Sequence, residues 1–252
     1  MIKIFTNKYG FRIVDIWFAE KIEESVNADV VIVHGIQTIP KGFCINSPFG
    51  GKQHSLISDL TVGEDFIWQS LSSKIRNEIR RADKENVDFI HFCSEAISED
   101  LLMEFCDLYG KMYVSKNMIV KSPYNQLLKY KNTNSLIISA ARFEEKNIIF
   151  HAYVNDKDNC RLLYSCSNFR NDDKLKKIIG FANRGLHWFD IKLFIEKNVK
   201  NLDWGGISDF EKPNGIDKFK IEFNGAPVTY FNAVKLSLKG IILCLMKMIL
   251  KK

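Results

Sequence analysis

The chain has 252 residues, of which 46% are apolar and 12% aromatic, with nineteen Phe. That composition supplies a packed core and excludes wholesale disorder, and the length suits one large domain or a whole domain plus a partial one. A net charge of +6 fits a phosphate, a nucleic acid or an anionic bilayer without choosing among them, and ordinary surface lysines account for it equally well.

In chain order, residues 1–62 read as short strands: IKIF, FRIVDIW, ADVVIVHG and the run FCINSPFGGKQHSLISDL, punctuated by Pro40, Gly42, Pro48, Gly50 and Gly51. From about Glu64 to Asn86 the period becomes helical, with Leu71, Ile75, Ile79 and Ala82 on one face. VDFIHF is a strand, and a helix begins at Ser98 with Glu99 and Asp100 in its first turn. A shorter helix covers Ser122–Lys131, with Pro123 in its first turn. The strands SLIISAARF, NIIFHAYV and CRLLYSCS follow, linked tightly enough for an antiparallel meander. A helix over Ala182–Asn198, the strand NLDWGGI, a short helix at Ile216–Phe223 and the strand PVTYFNAV complete the order. This predicts an α+β fold, not a doubly wound one.

Six cysteines (Cys44, Cys93, Cys106, Cys160, Cys166, Cys244) lie mostly among apolar neighbours with no metal-ligand spacing, so buried free thiols and no metal are expected. The opening MIKIFTNKYGF lacks the pattern of a secretion signal, and a cytoplasmic protein is expected.

Three stretches offer chemistry. In SLSSKIRNEIRRADKENV (Ser70–Val87), helical spacing pairs Lys74 with Glu78, Arg80 with Asp83 and Arg81 with Glu85. Arg76 has no local acid, which makes it a candidate anion binder; a solvated basic face is the alternative. In KKIIGFANRGLHW (Lys176–Trp188), Gly180, Ala182 and Gly185 fall where a loop is expected to give way to a helix, a place where backbone N–H groups bind anions, although a plain turn has the same composition. His187 shares a helical face with Ile191 and Phe194, a packed position. In LDWGGI and GIDKFKIEF, Asp203 interrupts an apolar strand and needs a partner if buried, and Gly205-Gly206 admits another backbone or a ligand. A strand-end cap is the alternative for Asp203, and surface exposure for Lys218 and Lys220.

Taken together, these segments resemble the Fem-type branch of the GNAT acyltransferase superfamily. IRNEIRRADKENV is similar to its Arg-rich helix, ANRGLHW to its A-N-x-x-L-H-W helix, and LDWGGIS…GIDKFKIEFNG to its D-x-G-G…G-I-x-x-F-K-x-x-F-G-G ending; the likeness spans Ser55 to Val234. Two departures are Asn224 in the final F-G-G and Leu202 in the family's common Tyr-Asp pair. The resemblance implies a GNAT-like fold with a partial N-terminal half (1–92), a C-terminal GNAT domain (93–234), and an acyl donor lying between two splayed central strands.

By this resemblance the donor is acyl-CoA, its diphosphate held by Lys177, Gly180, Ala182, Asn183 and Arg184, since KIIGFA matches Q/R-x-x-G-x-G/A except at its first residue. Arg76, Arg80, His187 and Trp204 are expected to bind substrate. Asp203 is expected to orient or deprotonate an amine, and Lys220 or a strand amide to stabilise the oxyanion. The implied activity is N-acylation of an amino group on a cell-envelope sugar or a peptidoglycan or polysaccharide precursor. The alternatives are transfer from aminoacyl-tRNA, the one reading that requires a nucleic acid, and a catalytically silent binding or scaffold subunit.

The tail KLSLKGIILCLMKMILKK (235–252) reads as an amphipathic helix with Lys235, Lys239, Lys247 and Lys251 drifting around one side. With a lysine inside its apolar run it is a poor spanning helix and a good interfacial one, placing the protein at the inner face of a membrane. Packing on the domain or on a second subunit is the alternative.

Overall fold

The computed structural model describes residues 1–21, 26–168 and 175–249, with 247–249 described by backbone alone. The chain forms two compact units: Met1–Leu56, Gly206–Asp217 and Pro227–Lys252 make the first, and Ile57–Gly205 with Lys218–Ala226 the second. These units interleave along the chain, unlike the linear segments 1–92, 93–234 and 235–252.

The first unit contains β1 (Ile2–Lys8), β2 (Phe11–Trp17), β3 (Val30–Ile36) and the start of β4 (Gly51–Asp59). From the C-terminal end of the chain it takes β10 (Ala226–Leu236) and α7 (Leu238–Ile249). Tyr9 and Gly10 both have positive φ and form the two-residue turn of the β1–β2 hairpin. The strands lie in the order β1-β2-β3-β10-β4, β2 and β3 parallel, β3 and β10 antiparallel. Val14, Ile16, Val31, Val33 and Ala233 form one buried layer, and Ile13, Val30, Ile32, Val234 and Leu243 another, as side-chain alternation on a sheet requires.

The second unit holds α1 (Glu64–Ser70), α2 (Ser73–Lys84), β5 (Asp88–Cys93), α3 (Glu99–Val114) and α4 (Tyr124–Asn132). Next come β6 (Leu136–Phe143), β7 (Lys146–Asn155), β8 (Asn159–Ser167), α5 (Lys176–Glu196) and β9 (Asn201–Asp203). α6 (Gly215–Ile221) begins in the first unit and ends in the second. The strand order is β4-β9-β8-β7-β6-β5. β5 to β8 are an antiparallel meander, and α5 makes the crossover between parallel β8 and β9. Phe150 on β7 meets Phe105 on α3, while Ile149 packs with Ile179 and Ala182 on α5, so α3 and α5 cover opposite faces.

The architecture is the expected mixed α and β arrangement with its central meander, but two helical boundaries differ. The stretch from Glu64 to Asn86 is two helices. It breaks at Leu71–Ser72, where the Ser72 hydroxyl accepts from the Ile75 N–H (3.3 Å) and caps α2. And α5 starts at Lys176, six residues before the expected Ala182.

α5 crosses α2 closely because its small residues permit it. A Cβ on Gly185 would lie 2.5 Å from the Phe89 ring and 2.9 Å from the Ala82 methyl. Gly185→Leu is therefore expected to destabilise the second unit by roughly 1–3 kcal/mol through overpacking, read as a lower urea midpoint with an unchanged slope.

Candidate functional site

The strands β8 and β9 pair at only Asn159↔Asn201, Cys160↔Leu202 and Arg161↔Asp203. β9 ends there, whereas β8 continues to Ser167. Opposite β7, Tyr153 pairs with Leu162 and Ala152 with Tyr164, so Leu163 is the extra residue of a bulge just past the last β9 contact. Among the described residues no strand pairs with that edge of β8 beyond Arg161. Gly205 turns the chain away with φ 73°, and a Cβ there would sit 2.6 Å from the Leu162 carbonyl oxygen. The close approach read from Gly205-Gly206 is thus an approach of backbone to backbone. The result is a wedge between two strands, the place where an extended ligand can bond to β8.

At the apex of the wedge, the Arg161 guanidinium donates to Asp203 Oδ2 and the Gly205 N–H donates to Asp203 Oδ1 (2.8 Å). Both side chains are buried. Asp203 does have the partner that a buried strand carboxylate needs. With both oxygens engaged, it holds the two strands together. The half-buried Lys220 lies near the same turn, its Nζ 3.7 Å from where a Gly205 Cβ would be.

Beside the apex lies a buried polar cluster. His151 on β7 shares a 2.7 Å hydrogen bond between Nδ1 and Asp190 Oδ2, and the Tyr153 hydroxyl donates to the same oxygen (2.6 Å). His151 Nε2 faces the Asn183 amide oxygen at 3.1 Å. Asp190 Oδ1 is buried with no hydrogen-bond partner. Burial, reinforced by Asp190, pushes the Tyr153 phenol well above its ordinary range. His187 stacks on His151 with ring centroids 4.1 Å apart and is enclosed by Trp204, Phe219 and Phe223. Burial, then the charges of His151, Lys220 and Arg184, holds its pKa well below 6.5, so the ring is neutral.

By residue type His151, His187 and Asp190 could hold a metal, with candidate ligand atoms within 4.8 Å of one another. The rings oppose it. Their planes are only 29° apart, so the in-plane nitrogen lone pairs run side by side instead of converging, and Nδ1 of His151 is already bonded to Asp190.

The structure brings together Asp203, Trp204, Lys220, His187 and Asn183, through contacts among these groups and their neighbours. Trp204 is fully enclosed, its indole N–H donating to the Ser58 hydroxyl (2.8 Å), so it supports the wedge from behind. Other expected site residues are engaged elsewhere. Arg76 donates through Nη1 to the carbonyls of Gln69 (3.1 Å) and Leu71 (2.6 Å) and caps the end of α1. Arg80 lies over the Trp68 ring at 5.2 Å. Arg184 pairs with Glu78 (2.6 Å) and Glu222 (2.9 Å), and Lys74 approaches Glu222, so the expected Lys74–Glu78 pair is replaced. Arg81 does pair with Glu85.

Gly180 and Ala182 lie inside α5, not in a loop before it. Their N–H groups belong to the helix ladder and cannot form the expected diphosphate cradle. Only Lys177 is in the first turn, and residues 169–174 of the preceding segment lie outside the described residues. The start of α5 borders a 640 Å³ cleft whose lining includes Glu104, Asp107 and Glu144 as well as Lys111 and Lys146. The residues that sequence reasoning missed are Arg161, His151 and Asp190. Each is a charged or polar side chain inside an apolar run, the signal that had singled out Asp203.

No family model and no curated protein matches the chain. Solved structures do. FemX superposes with a TM-score of 0.62 at 10% identity, covering 96% of this chain and 85% of that one. The C-terminal domain of a protein designated a lysylphosphatidylglycerol synthetase, from Agrobacterium fabrum, gives 0.56 at 12% identity, covering 87% and 72%. L-PGS from Bacillus licheniformis gives 0.53 at 11%, covering 86% and 72%. At such identities the likeness is one of fold: the chain shares the fold of FemX and of these synthetase domains.

Two outcomes follow from this geometry. Asp203→Asn removes the carboxylate charge to which the buried Arg161 donates and is expected to cost roughly 3–5 kcal/mol in chemical denaturation, most of it recovered when Arg161→Met and Asp203→Leu are combined. For His187 the unfolded chain takes up a proton near pH 6.5 that the native state refuses. Its contribution to stability is therefore complete above pH 6.5 and declines as the pH falls below it. His187→Phe should remove a slope of about 1.4 kcal/mol per pH unit from unfolding curves taken below pH 6.5; an unchanged slope would mean that the native ring is charged.

Proposed function

We propose that the protein is an acyltransferase that works in the wedge between β8 and β9 and moves an aminoacyl group from an aminoacyl ester, such as charged tRNA, to an amine. The observation that carries this reading is the parting of two parallel strands after three residue pairs, with a bulge on β8 and Lys220 beside the turn that closes the apex. A Fem-type relationship supports it through the similarity to FemX over 96% of this chain. So does the lysylphosphatidylglycerol synthetase domain, whose name describes an aminoacylated product.

An acyl-CoA donor rested on KIIGFA as a phosphate loop, and Gly180 and Ala182 are helix-interior instead. The acceptor amine, on a cell-envelope precursor, is the part of the proposal that rests on the family resemblance alone.

In this mechanism the donor's acyl portion lies along the unpaired edge of β8. The acceptor nitrogen attacks the ester carbonyl carbon, and the oxyanion that develops is stabilised by the Lys220 ammonium and the strand amides. Collapse breaks the bond from the acyl carbon to the donor oxygen, which departs with the proton released by the nitrogen. The Arg161–Asp203 pair keeps the strands at the separation this requires.

Calorimetry with aminoacyl-tRNA, uncharged tRNA and acetyl-CoA tests the donor. Binding that prefers the charged tRNA is expected, and tight binding of acetyl-CoA alone would move the donor assignment to coenzyme A. In a transfer assay, Lys220→Ala should lower kcat on the order of 10²-fold with a smaller change in KM. Binding of neither donor would leave a scaffold subunit as the reading.

A further inference from the structure

In the first unit, α7 is apolar on two sides. Its inner side is fixed: Gly240 lies so close to Asp29 that a Cβ would overlap that carbonyl oxygen, and Leu243 and Cys244 are buried. The start of the helix is pinned as well. The Ser237 hydroxyl accepts from the Gly240 N–H (3.1 Å), and the Ser237 N–H donates to the Asp29 carbonyl (2.9 Å). At about 100° per residue, Leu238, Ile241, Ile242, Leu245 and Met246 fall on the opposite side. All five are exposed, Leu238 at 85% and Ile242 at 54%. This is a continuous apolar stripe, held rigidly outward, of the kind that marks an interaction surface.

Charge selects the occupant. Lys239 is exposed on α7 beside the stripe, Lys235 is exposed near the end of β10, and the sequence adds Lys247, Lys251 and Lys252, while no Asp or Glu occurs from Phe223 to Lys252. In a symmetric dimer the patch would meet itself and bring lysines against lysines. An anionic bilayer satisfies both features, with acyl chains taking the apolar stripe and headgroups the lysines. No described helix is long and apolar enough to cross a membrane, so the helix would lie in the interface.

We infer that the outer face of α7 docks the protein on an anionic lipid surface. This inference is independent of the transfer reaction, since lipid binding needs neither donor nor acceptor. The test is flotation of the full chain with vesicles of phosphatidylcholine alone and of phosphatidylcholine mixed with phosphatidylglycerol.

Strong binding is expected only to the anionic vesicles, weakening with salt. Lys239→Glu should reduce it about fivefold or more. Ile242→Asp combined with Leu245→Asp should reduce it at least about tenfold. Because these side chains are exposed, circular dichroism and the unfolding midpoint should not change. The inference is overturned if the parent chain ignores anionic vesicles or if the double substitution binds as well as the parent. It is also overturned if sedimentation shows a dimer that the double substitution dissolves while vesicle binding is absent, which would assign the face to a second copy of the chain.

Discussion

A sheet ordinarily leaves no interior strand edge without a hydrogen-bond partner, because buried N–H and C=O groups left unpaired cost more than the pairing they forgo. In the second unit β8 departs from that rule after Arg161 among the described residues, and the features around the departure serve to hold it open. The Arg161–Asp203 pair closes the last rung. The bulge at Leu163 changes the course of β8 immediately beyond it. Gly205, with a backbone conformation that side-chain-bearing residues resist, is the only kind of residue that can press against the Leu162 carbonyl and send the chain away. A buried ion pair is a poor source of stability, but it is directional, and direction is what a strand junction of three residue pairs requires.

The helix that bridges these strands is fixed from two sides by different chemistry. Towards α2 it presents Gly185 to the Ala82 methyl and the Phe89 ring, which sets its height above the strands. Elsewhere around its circumference it carries His187, Asp190 and Asn183, whose bonds and stacking reach His151 and Tyr153 on β7. Close packing tolerates small rotations about the helix axis; a set of hydrogen bonds at 2.6–3.1 Å does not. The polar cluster therefore fixes the rotation of α5. Through His187, which stacks among Trp204, Phe219 and Phe223, it also fixes the floor beneath the wedge.

These relations explain which parts of the molecule could be read from sequence. The meander and the helices α2 and α3 were legible because their signals are local: periodicity, a capping serine, a tight link. Small residues were ambiguous. Gly180, Ala182 and Gly185 announce a close approach but not what approaches, and the answer at Gly185 lies in Ala82 and Phe89 about a hundred residues upstream. Arg76 is ambiguous for a related reason. A cation with no nearby acid suggests a bound anion, yet helix-terminal carbonyls carry enough negative charge to hold it. At Asp203 the two readings coincide: a buried acid paired with Arg161, and a strand-end acid capping the turn at Gly205. Arg161 would have been recognised by the same argument, since it sets a charge beside Cys160 and Leu162 near the start of the strand CRLLYS.

The chemistry of the remaining side chains narrows how transfer can proceed through the wedge. Cys160 and Cys166 on β8 are the thiols nearest the junction in sequence, and burial pushes both well above the ordinary thiol range, so neither supplies a thiolate. Tyr153 is likewise held as a neutral phenol. His187, although neutral and chemically able to accept a proton, is stacked inside an aromatic enclosure that charging it would disrupt. None of these groups serves a covalent route, which needs an ionised nucleophile or a base free to take on charge. A donor that arrives already activated has no such requirement. In the proposed reaction it needs alignment along a strand edge and a cation where the oxyanion develops, the parts proposed for the β8 edge and for Lys220.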